Sequence, residues 1–154
     1  SLYVLTSSLN DHLIMYTPSD DPSVCFLPVF SSRVPAGFPS PAEDHLEGKL
    51  DLNQHLIRRP AATFFVRASG ESMRDAGIFD GDILVIDRSI TPVAGDVVIA
   101  VLHGDLTVKR LMKAGPEGWA LKAENAAFPN IPVDEEGCEI WGVVTNSIRR
   151  HCLR

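Results

Sequence analysis

From Thr63 onward the apolar residues arrive in short runs rich in Val, Ile, Leu and Phe, each closed by Gly, Asp or Pro. Runs of this length and composition predict β-strands. They fall at Thr63–Ser69, Ile83–Asp87, Asp96–His103, Leu106–Lys113, Trp119–Ala123 and Ile140–Ile148. The punctuation between them is turn chemistry: Asp80-Gly81-Asp82, Ala94-Gly95-Asp96, His103-Gly104-Asp105 and Gly115-Pro116-Glu117-Gly118. His103-Gly104-Asp105, between two apolar runs, is a hairpin turn. Residues 1–62 read differently. Pro18, Pro22, Pro28, Pro35, Pro39 and Pro41 interrupt every apolar patch, and proline neither donates to a ladder nor continues a helix. A strand or hairpin is expected only within Leu2–Tyr16. A short helix is expected over Asp51–Ile57, with Asp51 as its cap and Pro60 just beyond its end. The expected architecture is a mainly β body behind an extended N-terminal arm.

Composition narrows the function classes. At 154 residues the chain can bury one sizeable core. The net charge is −6 and no basic block is present, so direct nucleic-acid binding is not expected, because phosphate contacts rest on Lys and Arg. Cys25, Cys138 and Cys152 are an odd, scattered set without CxxC spacing. That pattern fits a reducing compartment better than a disulfide scaffold. Runs such as Val97–Leu102 are too short to cross a bilayer, and no secretory leader is evident. A soluble, cytoplasmic protein is the expectation.

Two residues carry the candidate chemistry. Ser72 lies in Ser69-Gly70-Glu71-Ser72-Met73, at a turn after an apolar run. There a hydroxyl can stand clear while backbone N–H groups of Ser72 and Met73 hold an oxyanion. Lys109 lies in Leu106-Thr107-Val108-Lys109-Arg110-Leu111, where strand geometry puts Thr107, Lys109 and Leu111 on one face. Taken singly, the first is an ordinary turn serine and the second a solvated strand lysine. For Lys109 to take a proton from Ser72 near neutral pH its amine must be uncharged. That means a fall from about 10.4 to near 7, roughly 4 kcal/mol of destabilised ammonium. Burial among apolar side chains can supply it.

Other constellations are weaker. His12, His45, His55, His103 and His151 lack metal-ligand spacing, and no metal or cofactor is expected. A Ser-His-Asp arrangement through His103 competes with a plain turn role for that histidine. Asp75, Asp80, Asp82 and Asp87 lack the ligand order of a calcium loop. Turn and strand-end roles suit them better.

Several segments, in order and at compatible spacing from about Val29 to Ile148, give the chain a family resemblance. They are Ala36-Gly37-Phe38-Pro39-Ser40-Pro41-Ala42, Asp51-Leu52-Asn53-Gln54, Ala68-Ser69-Gly70-Glu71-Ser72-Met73, Ile78-Phe79-Asp80-Gly81-Asp82-Ile83-Leu84, Gly95-Asp96-Val97-Val98-Ile99-Ala100, Leu106-Thr107-Val108-Lys109-Arg110-Leu111 and Trp141-Gly142-Val143-Val144. Together they resemble the UmuD-type SOS mutagenesis proteins, within the LexA-like self-cleaving Ser/Lys proteins. The resemblance implies the LexA/signal-peptidase-like fold of coiled β-sheets. It also implies Ser72 as nucleophile, Lys109 as general base and self-cleavage between Ala36 and Gly37. The division that follows is residues 1–36 removed, 37–62 an extended arm with a short helix, and 63–154 a catalytic and dimerisation domain. The implied partners are a second copy of the chain, a RecA filament on single-stranded DNA, and a UmuC-like Y-family DNA polymerase for translesion synthesis.

The match has limits. Residues 1–28 carry none of the family's motifs. The 36 residues ahead of the cleavage site hold one basic residue, Arg33, and no helix pair, which disfavours a LexA-like repressor. A repressor would need DNA-binding residues upstream of Ser1. A subunit of the same fold that never cuts itself is the other alternative, and the joint presence of Ala36, Gly37, Ser72 and Lys109 weighs against it.

Overall fold

The computed structural model describes residues 15–30, 46–133 and 138–154. In chain order the strands are β1 (Met15–Tyr16), β2 (Leu27–Phe30), β3 (Leu46–Leu50), β4 (Thr63–Arg67), β5 (Ile83–Asp87), β6 (Val97–Leu102), β7 (Asp105–Ala114), β8 (Gly118–Lys122), β9 (Ile131–Pro132) and β10 (Cys138–Ile148). One short helix, α1, spans Leu52–Leu56. The protein is mainly β, as the punctuated apolar runs require. Most of the expected Leu2–Tyr16 element lies outside the described residues.

The chain forms two compact units. In the smaller, residues 21–58, β2 and β3 pair antiparallel with Pro28 opposite Lys49. This pairing is a correction to the expectation that prolines exclude regular structure from the arm. A two-stranded sheet leaves each strand one unpaired edge, where a missing N–H costs nothing. Asp51 caps α1 as expected, its Oδ1 accepting from Asn53 N at 2.9 Å.

The larger unit holds an eight-stranded antiparallel sheet in the order β1-β4-β5-β10-β6-β7-β8-β9. The last strand in the chain therefore sits between the early pair β4–β5 and the later run β6–β9. It bends twice on the way, with register shifts between Ile140 and Gly142 and between Val144 and Asn146. Such bulges sharpen local twist and let one strand serve two neighbours. At the first bulge Gly142 lies against Ile86, whose Cγ2 would meet a Cβ at 2.5 Å.

Alternation along the strands feeds two apolar clusters. Val66, Ala68, Met73, Ile78, Leu84, Ile86, Ile99 and Val108 form one; Val98, Ala100, Leu111, Leu121 and Val143 form the other. Between β6 and β7 the two-residue turn has φ of 49° at His103 and 86° at Gly104. Positive φ at both positions is the twist-matched hairpin geometry the sequence pattern predicts. It fixes Val98 opposite Lys109 and Ile99 opposite Val108.

Candidate active site

Ser72 stands on an irregular turn between β4 and β5, and the turn is tied at several points. Ala68 N donates to Asp82 O and Gly81 N to Ala68 O, both at 2.8 Å, closing the base of the loop. Gly70, at φ 82°, points its N–H at Asp80 Oδ1, 2.8 Å away. Met73, 3% exposed, plugs the turn into the first apolar cluster. The next three residues, Arg74–Ala76, form a single 3₁₀ turn ending at Gly77 in the left-handed region. The backbone N–H groups of Ser72 and Met73 have no acceptor among the described residues. They are donors available to a developing negative charge.

Lys109 comes from mid-β7, opposite Val98 of β6 and one residue before the pairing with β8 begins at Arg110. Its side chain is buried at 7% exposure, and Nζ ends 3.0 Å from Ser72 Oγ. Nζ also lies 3.1 Å from Thr107 Oγ1 and 3.2 Å from Val108 O. None of the ion pairs among the described residues involves it. Burial without a counter-charge pushes the Lys109 amine below the ordinary lysine range.

The three oxygens also suit a neutral amine, which has two N–H groups and one lone pair. Val108 O can only accept, and Thr107 Oγ1 can take the second N–H. The lone pair then faces the Ser72 hydroxyl, ready to receive its proton. An open cleft of about 490 Å³ runs past the pair, lined by Ala68, Ser69, Gly70, Met73, Ile78, Leu106 and Val108 among others.

The structure thus brings together Ser72, Lys109 and the two backbone donors. Ala36 and Gly37 lie outside the described residues. His103 stays in its hairpin turn and makes no hydrogen bond to Ser72. Asp80 and Asp82 serve turns: Asp82 accepts from Phe79 N at 2.9 Å and from Arg149 Nε and Nη2, each at 2.8 Å. Asp87 accepts from Ser89 N, Ser89 Oγ and Arg59 at the end of β5. Among the described residues no three His, Cys, Asp or Glu side chains gather as a metal site.

Sequence reasoning missed three contributors. Thr107 touches the amine directly; its i, i+2 spacing from Lys109 on a strand was the available signal. Glu124 and Asn125, in the loop after β8, reach the serine turn. Asn125 Nδ2 donates to Glu71 O at 2.9 Å, and Asp75 N donates to Glu124 O at 2.8 Å. Nothing local in Ala123-Glu124-Asn125-Ala126 announces that role.

Residues 28–145, which contain both Ser72 and Lys109, match the Peptidase S24-like family. Protein SamA of Salmonella typhimurium is 47% identical over 138 residues, covering 90% of this chain and 96% of SamA. Protein ImpA of Shigella flexneri is 49% identical over 133 residues, covering 86% of this chain and 90% of ImpA. Protein MucA of Escherichia coli is 46% identical over 133 residues, covering 83% of this chain and 89% of MucA.

Proposed function

The chain belongs to the Peptidase S24-like family, among its UmuD-type members, and from that premise we propose that it is a serine endopeptidase acting on its own Ala36–Gly37 bond. The observation that carries this reading is the buried Lys109 amine, without an ion-pair partner among the described residues, 3.0 Å from Ser72 Oγ. The neutral amine takes the hydroxyl proton as Oγ attacks the Ala36 carbonyl carbon. The oxyanion so formed accepts from the N–H groups of Ser72 and Met73. Collapse breaks the Ala36–Gly37 bond, and Lys109 passes its proton to the Gly37 nitrogen, leaving Gly37 as a new N-terminus while residues 1–36 stay joined to Ser72 as an ester. Water, deprotonated by the restored amine, then cleaves the Ala36–Ser72 ester and releases residues 1–36.

The flanking residues suit this use. A small side chain followed by Gly enters a narrow cleft, and Pro35 and Pro39 favour the extended backbone a protease grips. Tethering holds the bond near the nucleophile and replaces a bimolecular encounter. We place the processed homodimer with a UmuC-like Y-family polymerase in SOS mutagenesis, the polymerase making the DNA contacts that this acidic chain is poorly charged to make. In the same reading a RecA filament on single-stranded DNA favours the state with the scissile segment in the cleft. No helix among the described residues is long and apolar enough to cross a membrane.

Intact-mass measurement after alkaline incubation of the purified chain tests the proposal. The expected result is a product whose new N-terminus is Gly37, absent in Ser72→Ala. A chain that stays whole from pH 7 to 10, with and without RecA filaments, leaves an interaction subunit of the same fold as the better reading.

A further inference from the structure

Ser72 and Lys109 sit on parts of the fold that could drift independently. The serine is on an irregular turn, whereas the lysine is fixed in the middle of a sheet. Their 3.0 Å contact therefore needs something that measures the gap between turn and sheet. Apart from that contact, one dipeptide among the described residues hydrogen-bonds to both the serine turn and β7. β8 ends at Lys122, directly opposite Arg110, the residue after Lys109. The chain leaves β8 there and, within three residues, reaches the serine turn.

Glu124 faces both ways. Its carboxylate accepts from Arg110 Nε at 2.6 Å, and its carbonyl accepts from Asp75 N at 2.8 Å. Asn125 is 7% exposed, and its amide N–H bonds Glu71 O at 2.9 Å. Its Oδ1 accepts from Ala127 N at 3.0 Å, and its carbonyl from Phe128 N at 3.0 Å, so the amide is itself held in place. The two anchor points on the turn, Glu71 and Asp75, flank Ser72 and Met73. The turn is thus gripped on both sides of the nucleophile and its oxyanion donors, from a segment registered on the base's own strand.

We infer that Glu124 and Asn125 are positioning residues that set the Ser72–Lys109 distance, acting through the backbone of the serine turn and not on the scissile bond. This rests on the Ser/Lys reading above. A buried amide that donates to a backbone carbonyl one residue before a nucleophile fixes where that nucleophile points. A displacement of about 1 Å at such a group costs on the order of 100-fold in rate.

The test uses the full chain with Asn125→Ala and Asn125→Asp, the latter keeping size and Oδ1 while losing the donor. Two readouts are followed: self-cleavage rate across pH 7–10, and labelling of Ser72 by a fluorophosphonate, which does not need the arm in the cleft. Both variants should lose about 10- to 100-fold in each readout. The pH midpoint of cleavage should stay put, because Lys109 keeps its burial. Glu124→Gln, which retains the Arg110 acceptor and the backbone carbonyl, should lose about threefold or less. Where the Asn125 variants do not fold, Glu124→Ala is read by the same criteria. Parental rates in both Asn125 variants overturn the inference. So does a loss that tracks thermal destabilisation while the pH midpoint moves up toward ordinary lysine, since that signals water entering a loosened core. Cleavage that persists in Ser72→Ala condemns the dyad itself, an outcome separable from either of these.

Discussion

Two buried ionisable groups flank the serine turn, and the fold treats them in opposite ways. Asp82, 2% exposed, closes the far side of the loop and is given a partner: Arg149 Nε and Nη2 each donate to it at 2.8 Å. Arg149 also spans to Gly77 O and stacks its guanidinium 3.8 Å from the Phe79 ring centroid. The Arg149 contact holds the Asp82 carboxyl below its ordinary value against the opposing effect of burial. Lys109, nearly as buried, is given hydroxyls and a carbonyl but, among the described residues, no carboxylate. On the proposed reading, the charge kept for structure is paired, whereas the one kept for chemistry is left unpaired so that it can be given up.

The comparison can be broken at either site. Ser72→Ala and Lys109→Ala should each fold and lose self-cleavage by about 1,000-fold or more, read as the fraction of intact mass over time. Cutting at an undiminished rate by either would remove that residue from the chemistry. Asp82→Ala leaves Phe79 N and Arg149 without their acceptor and should cost about 2–3 kcal/mol, measured by urea unfolding at pH 7. Thr107→Asp gives Lys109 the counter-charge it lacks. An anion beside an ammonium stabilises the protonated form, so the pH–rate profile should move to higher pH. The neutral-pH rate should then drop about tenfold for each pH unit of displacement.

The smallest effect sharpens the contrast through stability. Lys109 has a native value below its unfolded value of about 10.4. Below the native value both states carry the proton and the whole cost of the buried ammonium is felt. Between the two values the unfolded chain binds more protons, so stability rises with pH, by at most about 1.4 kcal/mol per unit. Lys109→Met should flatten that slope, as seen in urea midpoints over the same range. Asp82 moves stability in the same direction with pH but as a gain and not a relieved cost: its contribution is present above the ordinary carboxylate range and is lost as pH falls through its lowered native value.

What could be read from the sequence follows the range of the forces involved. Strand positions were legible because alternation and Gly/Asp punctuation are local; Ile83–Asp87 was placed to the residue, and other boundaries moved by one or two. Ser72 and Lys109 were weak candidates from their own settings, a turn serine and a strand lysine, and gained weight through the ordered set of matching segments. The burial of Lys109 depends on β6 and the turn at Met73 closing round it, which no short window contains. Asp82 and Arg149 are 67 positions apart, and Asn125 meets Glu71 across 54. Both interactions are products of topology. The β2–β3 pairing was hidden for a different reason: proline is a strong local veto, and only an unpaired strand edge suspends it.

The order of strands carries a consequence for biosynthesis. Ser72 belongs to the β4–β5 side of the sheet and Lys109 to the β6–β7 side, and the seam between them is filled by β10, late in the chain. While the ribosome is still translating that strand, the halves that carry Ser72 and Lys109 lack the strand pairing that joins them, and among the described residues only the apolar cluster and the Glu124–Asn125 bridge span the gap. On the proposed reading a nascent chain therefore cuts itself poorly, and its tail is spared until translation has supplied the final span.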